Sequence, residues 1–529
     1  MSRFAILFAV SEIAPWVKTG GLGDVAAALP AALKQRRQDV RVLVPAYPAL
    51  RRAFPEAQEV ASLPSLTPAM PPCRLLAANA DGLPLLLLDC PELFDRPGNP
   101  YLDAAGSDYS DNVLRFGLLS RVAARLGQPD SPLAWQPDIV HLHDWQTALA
   151  AAFLHYEGGA ASVLTIHNIA FPGNFAPGDL AALALPPQSW SFDGVEYFGH
   201  FSFLKAGLQF ATRLNTVSAT YAREILDEAL GYGFAPLLRY RAQALYGLLN
   251  GIDTEAWNPA KDAHLAVPYS AGRLTGKRAN KTALQARLGL EQRDDLPLFG
   301  VVSRLTEQKG LDLLLTLGSG LAEHLPGQLA LLGSGDPALE AGFRALSERY
   351  PGRIASVIGF DEALAHQIEA GADIFLMPSR FEPCGLNQMY SLRYGTPPIV
   401  RQTGGLADSV VDCNEASLAD GTATGFVFQD ATAHALWQTL ERATAVWKQP
   451  RLWRQLQQQG MRLDLSWKRA ADAYLALYDD TLAAHRSALP APPPKGKARP
   501  AKRAAPAAAK TKSPTKTASG GSGRRGPLE

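Results

Sequence analysis

Short apolar runs, each followed by a stretch of helical spacing, recur along the chain in two series. The first series falls between residues 4 and 218, and the second between 296 and 429. Continuous apolar strands between helices are typical of parallel sheets that are buried on both faces. Two such series predict an α/β fold of two Rossmann-like, doubly wound domains. The predicted strands are 4–10, 40–46, 83–89, 138–143, 162–167 and 213–218 in the first series and 296–303, 328–333, 354–359, 373–378, 397–402 and 425–429 in the second.

Composition divides the chain into three segments. Asn-Gly and Asn-Pro steps interrupt the apolar pattern after residue 249, which places a boundary between a first domain, 1–250, and a second domain, 251–486. The helical spacing of Trp467, Ala471 and Tyr474 predicts a last helix that packs back on the body. Residues 487–529 carry ten of the 51 Lys and Arg residues, one of the 50 acidic residues and almost no large apolar side chains. We therefore expect this basic, Pro/Ala/Lys-rich tail to be disordered.

Targeting signals and cysteine patterns are absent from the sequence. No apolar run approaches the ~20 residues that a membrane-spanning helix needs, and the apolar start at 4–10 lacks the cleavage site of a signal peptide. The four cysteines are scattered, with no C-x-x-C pair. These features predict a cytoplasmic protein without membrane contact, disulfide framework or zinc knuckle.

One phrase, Thr-Gly-Gly-Leu-x-Asp, occurs at 19–24 and again at 403–408. Each copy follows a predicted strand and opens a helix-compatible run. Paired glycines let the backbone approach an anion, and the N-terminus of the following helix offers N–H groups to it. A plain strand-to-helix turn is the alternative for each copy. Two copies in matching positions favour a phosphate or sugar ligand held in a cleft between the two domains.

Charged residues follow two strands of the second series. Arg304 and Lys309 come directly after 296–303, and cations so placed would stabilise a diphosphate, above all as a leaving group. Glu382 follows 373–378 in a turn that Pro383 and Gly385 make stiff. Its carboxylate could bind sugar hydroxyls or stabilise a cationic sugar. Ordinary solvated loop charges are the alternative at both places.

Two further clusters allow more than one interpretation. His141, His143 and Asp144 have a spacing that could bind a metal, but no third cluster accompanies them, so buried hydrogen-bonding histidines are favoured and no metal site is predicted. His167 lies at the end of another strand. Cys384 has no base partner that the sequence can assign, which disfavours a catalytic nucleophile. The first strand is not followed by G-x-G-x-x-G, which disfavours a dinucleotide dehydrogenase.

Seven motifs in order resemble the bacterial glycogen synthases and plant starch synthases. The resemblance covers about residue 2 to about residue 484 and excludes the tail. It implies a GT-B fold, with the active site in the cleft, and retaining transfer of glucose from ADP-glucose to the 4-hydroxyl of an α-1,4-glucan such as glycogen. It also implies that no metal or other cofactor is needed. The motifs are KTGGLGDV (18–25), HLHDWQT (141–147), IHNIAFPG (166–173), NGIDTEAWNP (250–259), VVSRLTEQKG (301–310), SRFEPCGLNQ (379–388) and VRQTGGLADSV (400–410).

The resemblance further implies roles for single residues. Lys18 would reach the ADP phosphates, Arg304 and Lys309 would neutralise the departing diphosphate, and Asp144 and His167 would bind the glucosyl unit. The implied catalytic residues are Glu382, Lys309, Arg304, His167 and Asp144. The implied substrate-binding residues are Lys18, Gly20, Gly21, Asp24, Asn250, Phe360, Cys384, Gly385, Thr403, Gly404, Gly405 and Leu406.

Small departures from the family pattern, together with the basic tail, leave two alternatives open. Phe360 stands where relatives often have a tyrosine that stacks on adenine, and Asn387 replaces a common threonine beside the donor pocket. A transferase of the same fold that uses UDP-glucose is therefore the first alternative. The second is a protein that binds nucleic acid or another polyanion, through the basic tail only.

Overall fold

The computed structural model describes residues 3–325 and 327–488. Residues up to Ser487 belong to one compact unit. Ser487 and Ala488 close the last helix, and the rest of the predicted basic tail lies outside the described residues.

Eighteen strands form three sheets in the described part of the chain. Every predicted strand has a counterpart that begins and ends within two residues of the prediction. The strands that the sequence did not predict are β3, β4, β8 to β10 and β12. The bounds are β1 (Ala5–Ala9), β2 (Asp39–Pro45), β3 (Gln58–Leu63), β4 (Cys73–Ala80), β5 (Leu83–Asp89), β6 (Ile139–His143), β7 (Ala161–Ile166), β8 (Asn174–Phe175), β9 (Glu196–Tyr197), β10 (His200–Ser202), β11 (Arg213–Thr216), β12 (Leu245–Gly247), β13 (Leu298–Val302), β14 (Gln328–Gly333), β15 (Ile354–Ile358), β16 (Ile374–Met377), β17 (Pro398–Arg401) and β18 (Phe426–Phe428).

The largest sheet has nine strands in the order β12-β11-β7-β6-β1-β2-β5-β4-β3. The strands from β12 to β5 are parallel, and β4 and β3 extend the edge in antiparallel fashion. This sheet, its helices and the last helix of the chain are called the first lobe below. The chain order reverses around β1, whose neighbours are β2 and β6. The carboxyl ends of β1 and β6 therefore flank a crevice of the kind in which α/β sheets bind ligands.

The second lobe is built on six parallel strands in the order β15-β14-β13-β16-β17-β18. Read in chain order this is 3-2-1-4-5-6, the arrangement of a doubly wound nucleotide-binding sheet. Its order reverses between β13 and β16. The predicted fold class of two Rossmann-like domains is confirmed, whereas the exact boundary at residue 250 stays a prediction. A small antiparallel sheet, β8-β10-β9, belongs to the first lobe.

Twenty α-helices accompany these sheets in the described residues. Their bounds are α1 (Gly21–Gln35), α2 (Pro48–Ala53), α3 (Pro91–Phe94), α4 (Asn112–Leu126), α5 (Asp144–Ala148), α6 (Ala150–Glu157), α7 (Asp179–Ala182), α8 (Phe203–Phe210), α9 (Ala219–Glu224), α10 (Ala235–Tyr240), α11 (Thr275–Leu288), α12 (Leu311–Glu323), α13 (Pro337–Arg349), α14 (Glu362–Gly371), α15 (Asn387–Arg393), α16 (Gly404–Ser409), α17 (Glu415–Ala419), α18 (Ala433–Trp447), α19 (Pro450–Arg462) and α20 (Trp467–Ala488). Within residues 3–325 and 327–488, none has the length and apolarity to cross a bilayer.

The last helix, α20, returns from the second lobe to the core of the first. Tyr474 and Tyr478 are fully buried and join the same apolar cluster as Phe4 and Leu142. The hydroxyl of Tyr478 lies 2.8 Å from Nδ1 of His141 on β6. The chain therefore crosses between the lobes twice, and α20 covers the face of β6 that carries the two strand histidines.

Candidate active site

A large cleft of about 1110 Å³ lies between the lobes, where the carboxyl ends of both sheets face each other. Its first-lobe wall comes from the residues that follow β1, β6 and β7, and its second-lobe wall from those that follow β13 and β16. Of these strands, β1, β6, β13 and β16 lie at the reversal points of the two sheets, so topology brings residues from distant parts of the chain together. Predicted site residues on the cleft wall are Lys18, Gly20, Gly21, Asp24, Asp144, His167, Asn250, Arg304, Lys309, Glu382, Cys384 and Gly385.

Asp144 and His167 form the floor of the first-lobe wall. Asp144 follows β6 with a φ of +52°, a backbone conformation that costs energy for a residue with a Cβ and that clusters at functional sites. Its carboxylate accepts the backbone N–H groups of His167 (2.6 Å) and Asn168 (3.3 Å). Burial raises the pKa of Asp144 to about 7, although these two N–H groups oppose the rise. Burial lowers the pKa of His167 to about 3, so this imidazole is neutral.

The first Thr-Gly-Gly turn presents open backbone and a cation to the cleft. Glu12 accepts both the backbone N–H and the hydroxyl of Thr19 and so holds the turn at the end of β1. A Cβ built on Gly20 would meet nothing within 4 Å. Lys18 donates to the Asp24 carboxylate at 2.7 Å, yet the lysine side chain is half exposed. A surface pair of this kind contributes little energy, so an anionic ligand can compete for the lysine.

The second-lobe wall carries a buried ion pair. Lys309 donates to the Glu382 carboxylate, which also accepts from the Ser379 hydroxyl at 3.2 Å. Glu382 is only 6% exposed. Arg304 lies on the same wall and is exposed to the cleft. Its guanidinium makes no hydrogen bond or ion pair with any residue of 3–325 or 327–488. This wall therefore carries two cations. Lys309 is paired with the Glu382 carboxylate, whereas Arg304 is available to a ligand.

The turn after Glu382 is fixed from several directions. Gly385 has a φ of +69°, where only glycine is unstrained. Burial raises the pKa of Cys384 to about 12, which keeps this residue a thiol, and a thiol is a poor nucleophile. Asn250, at the junction of the lobes, hydrogen-bonds Cys384. Asn387, the departure from the family pattern, donates to the carbonyl of Val302 at the end of β13 and so ties the two reversal-point strands together.

The second Thr-Gly-Gly turn does not line the cleft. Thr403 and Gly404 donate from hydroxyl and N–H to the carboxylate of Glu224, which comes from α9 of the first lobe. Gly405 donates to the Glu382 and Pro383 carbonyls, and Leu406 to Thr403. The structure therefore places this copy as a contact between lobes and a support under the Glu382 turn, because its N–H groups are all bonded within the protein. The predicted role of 403–406 in binding a phosphate stays a prediction.

Phe360 is the other predicted binding residue that lies away from the cleft wall. It follows β15 and is 90% exposed. Its ring makes no aromatic contact in the described residues. The predicted stacking on a nucleobase stays a prediction.

Sequence reasoning missed several residues that the tertiary structure brings to the site. Glu12, Trp145, Asn168 and Ser379 line the cleft, and Glu224 holds the second turn. Glu12 had a detectable signal, since a carboxylate directly after an apolar strand of a parallel sheet lies at the ligand-binding edge. Glu224 had none, because its partner is 180 residues away in the other lobe.

No group of three or more His, Cys, Asp or Glu side chains in residues 3–325 and 327–488 is placed to hold a metal ion. The pair His141 and His143 is fully buried and bonded to Tyr478, Thr165 and His167. These are hydrogen-bonding core histidines, as the sequence favours. Whether the reaction needs a metal is a separate question that stays a prediction.

Comparison with known proteins adds independent information. The model of the starch synthase catalytic domain matches residues 5–240, and that of glycosyl transferases group 1 matches 285–458. A glycogen synthase of Dechloromonas aromatica (strain RCB) is 66% identical over 483 residues, which are 91% of this chain and 99% of that protein. A glycogen synthase of Nitrosomonas europaea is 51% identical over 480 residues, which are 89% of this chain and 97% of that protein.

Solved structures give the same result. The catalytic domain of starch synthase IV from Arabidopsis thaliana, bound to ADP and acarbose, superposes with a TM-score of 0.80 at 32% identity and covers 91% of this chain and 100% of its own. A sucrose-phosphate synthase from Thermosynechococcus elongatus has a TM-score of 0.54 at 17% identity, and the match covers 91% of this chain and 100% of that chain. At this identity the likeness shows the fold alone.

Two Rossmann-like lobes with a cleft at their facing sheet ends define a glycosyltransferase of the GT-B class. Identity this high over nearly the whole length of its relatives is decisive for the family. The chain belongs to the glycogen synthase and starch synthase family, and it is a glucosyltransferase.

Proposed function

We propose that this enzyme transfers glucose from ADP-glucose to the 4-hydroxyl end of an α-1,4-glucan such as glycogen, with retention at the anomeric carbon and without a metal ion. The observation that carries the proposal is the convergence of Lys18, Arg304 and Lys309 on one cleft. A diphosphate carries about two negative charges, and cations fixed around it stabilise it most when it leaves. We place the reaction in the cytoplasm.

Binding of the donor would exchange partners within the site. Lys309 now neutralises Glu382, and Lys18 neutralises Asp24. A bound diphosphate competes for both lysines and binds the guanidinium of Arg304, which pairs with no residue in the described part of the chain. The carboxylate of Glu382, once released, faces the position of a glucosyl unit whose ring becomes cationic. Guanidinium and ammonium groups would then supply the charge stabilisation that a metal ion gives in other phosphate-transferring sites.

The chemical step breaks the bond between the anomeric carbon and the β-phosphate oxygen, whose electron pair leaves with ADP. The acceptor's 4-hydroxyl oxygen forms the new bond on the same face, and its proton passes to the departing phosphate oxygen. An oxocarbenium-like ion pair accounts for retention without a protein nucleophile. Double displacement would require one, and the buried Cys384 thiol is unsuited to that role.

Purified protein assayed with glycogen as the primer tests the proposal. We expect turnover with ADP-glucose and much less with UDP-glucose at equal concentration. A clear preference for UDP-glucose would refute the donor assignment. A product of inverted anomeric configuration would refute retention.

The basic tail can be tested separately, because α20 ends at Ala488. Removal of 489–529 keeps that helix whole and should leave kcat and KM with ADP-glucose unchanged. Polyanion binding through the tail stays a prediction. A loss of turnover in this truncated protein would show that the tail takes part in catalysis.

A further inference from the structure

Among residues 3–325 and 327–488, His143 is the one buried group in direct hydrogen-bond contact with the side chain of His167. It is the last residue of β6, and its register partner on β7 is Thr165, so His167 lies diagonally beside it on the same face of the sheet. Nδ1 of His143 and Nε2 of His167 are 2.9 Å apart. The rings are stacked with centroids 5.2 Å apart. His143 itself is fully buried and does not line the cleft.

A hydrogen bond between two imidazoles requires that one ring donates and the other accepts. Burial keeps the pKa of both rings far below neutral pH. Each neutral ring therefore carries a single N–H. Two arrangements remain: His143 donates from Nδ1 to Nε2 of His167, or His167 donates from Nε2 to Nδ1 of His143. They present opposite groups to the cleft.

The surroundings of His143 favour the first arrangement. Its other nitrogen, Nε2, is shut off from solvent and has no partner in residues 3–325 and 327–488. If His167 were the donor, this nitrogen would be a buried N–H without an acceptor, which proteins rarely tolerate. If His143 is the donor, the same nitrogen is only a bare lone pair among the rings of Phe8 and His141.

We propose that His143 is a positioning residue, which donates its Nδ1–H to Nε2 of His167 and so fixes His167 in the tautomer whose Nδ1–H faces the cleft. This N–H has no acceptor among the described residues, so it is free to donate to a sugar oxygen. The sugar contact rests on the proposed function, whereas the tautomer does not. His143 would thus decide that the cleft offers a donor, and not an acceptor, at this position.

Histidine-selective ¹⁵N labelling of the full-length protein tests the tautomer directly. We expect both His143 and His167 to be neutral, each with its proton on Nδ1, with assignment by loss of the signals in H143F and H167A. A proton on Nε2 of His167 would overturn the proposal, whatever the kinetics are.

Two variants of His143 separate positioning from packing. His143→Phe keeps a ring against Phe8 but removes the donor, and we expect kcat/KM for ADP-glucose to fall about tenfold, equal to ~1.4 kcal/mol. His143→Asn places an amide N–H near the former Nδ1 and should recover most of that loss. Equal losses in both variants, at matched thermal stability, would show a packing role only and overturn the proposal.

Tyr478→Phe is the matched control. It removes the hydroxyl bound to His141, one layer deeper in the same buried network, and should leave kcat/KM within about twofold. If kcat/KM fell tenfold there as well, general loosening of the network would replace the specific role of His143. If the tautomers are as expected but His167→Ala leaves ADP-glucose kinetics unchanged, the sugar contact of the proposed function fails and the His143 hydrogen bond stands.

Discussion

The substitution Gly404→Ala tests whether the two Thr-Gly-Gly turns have different structural roles. Gly404 has a φ of +43°, which costs an alanine about 1–2 kcal/mol. Its Cβ would lie 1.9 Å from the carbonyl oxygen of Glu382, whereas real Cβ contacts under 3.0 Å are essentially never found. The Glu382 turn must therefore move by about 1 Å or more. Overpacking of this kind costs a further ~1–3 kcal/mol.

The displaced turn carries the carboxylate that we place beside the reacting sugar. A misplacement of ~1 Å at a reacting centre can cost about 100-fold in rate. We therefore expect Gly404→Ala to lower both the thermal unfolding midpoint and kcat with ADP-glucose and glycogen, the latter by about 100-fold. Wild-type kcat and an unchanged midpoint in this variant would refute the reasoning, since no relaxation that keeps the turn in place removes a backbone clash.

Gly20, the equivalent residue of the first turn, provides the matched control. Its φ of −159° suits any residue, and an added Cβ meets no atom within 4 Å. Gly20→Ala should therefore keep the stability within ~0.5 kcal/mol. Because this turn faces the cleft, we expect a higher KM for ADP-glucose. A comparable loss of stability in both variants would show that the two turns are not used differently.

Three further substitutions test the charges of the site. Glu382→Gln should greatly lower kcat while donor binding, measured by calorimetry with ADP, is mostly kept; turnover near wild type would contradict its role. Lys309→Ala should lower kcat/KM at least ~10-fold, or ~1.4 kcal/mol, and an unchanged value would exclude it from leaving-group stabilisation. His167→Gln should flatten the pH dependence of unfolding. The folded pKa of His167, about 3, lies below its unfolded value of 6.5, so the wild type loses stability as pH falls below 6.5. The free energy of unfolding, obtained from urea titrations between pH 6.5 and 5, should depend less steeply on pH in the variant than in the wild type. The difference in slope corresponds to about one proton, ~1.4 kcal/mol per pH unit. Asp144, with a folded pKa of about 7, contributes the opposite sign in that window, and the substitution does not remove it. An unchanged slope would contradict the burial of a neutral His167.

The strands of both parallel sheets could be predicted because each is a continuous apolar run between helices. The antiparallel edge was missed, although the Asp81-Gly82 step carried a signal. Both residues have positive φ and form a tight hairpin turn between β4 and β5. The alternation of apolar residues in β4 is weak, and most residues after Leu75 are only half-buried. Apolar alternation is a clear signal only where one face of a strand is buried along its whole length.

The sequence by itself determined the class of fold, the family and twelve residues of the cleft wall, since the motifs that carry these residues could be read directly from the chain. The shared phrase Thr-Gly-Gly-Leu-x-Asp gave no hint that its two copies differ in their contacts. Only the tertiary structure decided this, because the N–H groups at Gly404 and Gly405 meet the Glu224 carboxylate and the Glu382 turn, whereas a Cβ added at Gly20 would meet no atom within 4 Å. The equivalent glycines of the two copies even differ in backbone angle, with φ −159° at Gly20 and +43° at Gly404, because the atoms that surround each turn come from distant parts of the chain.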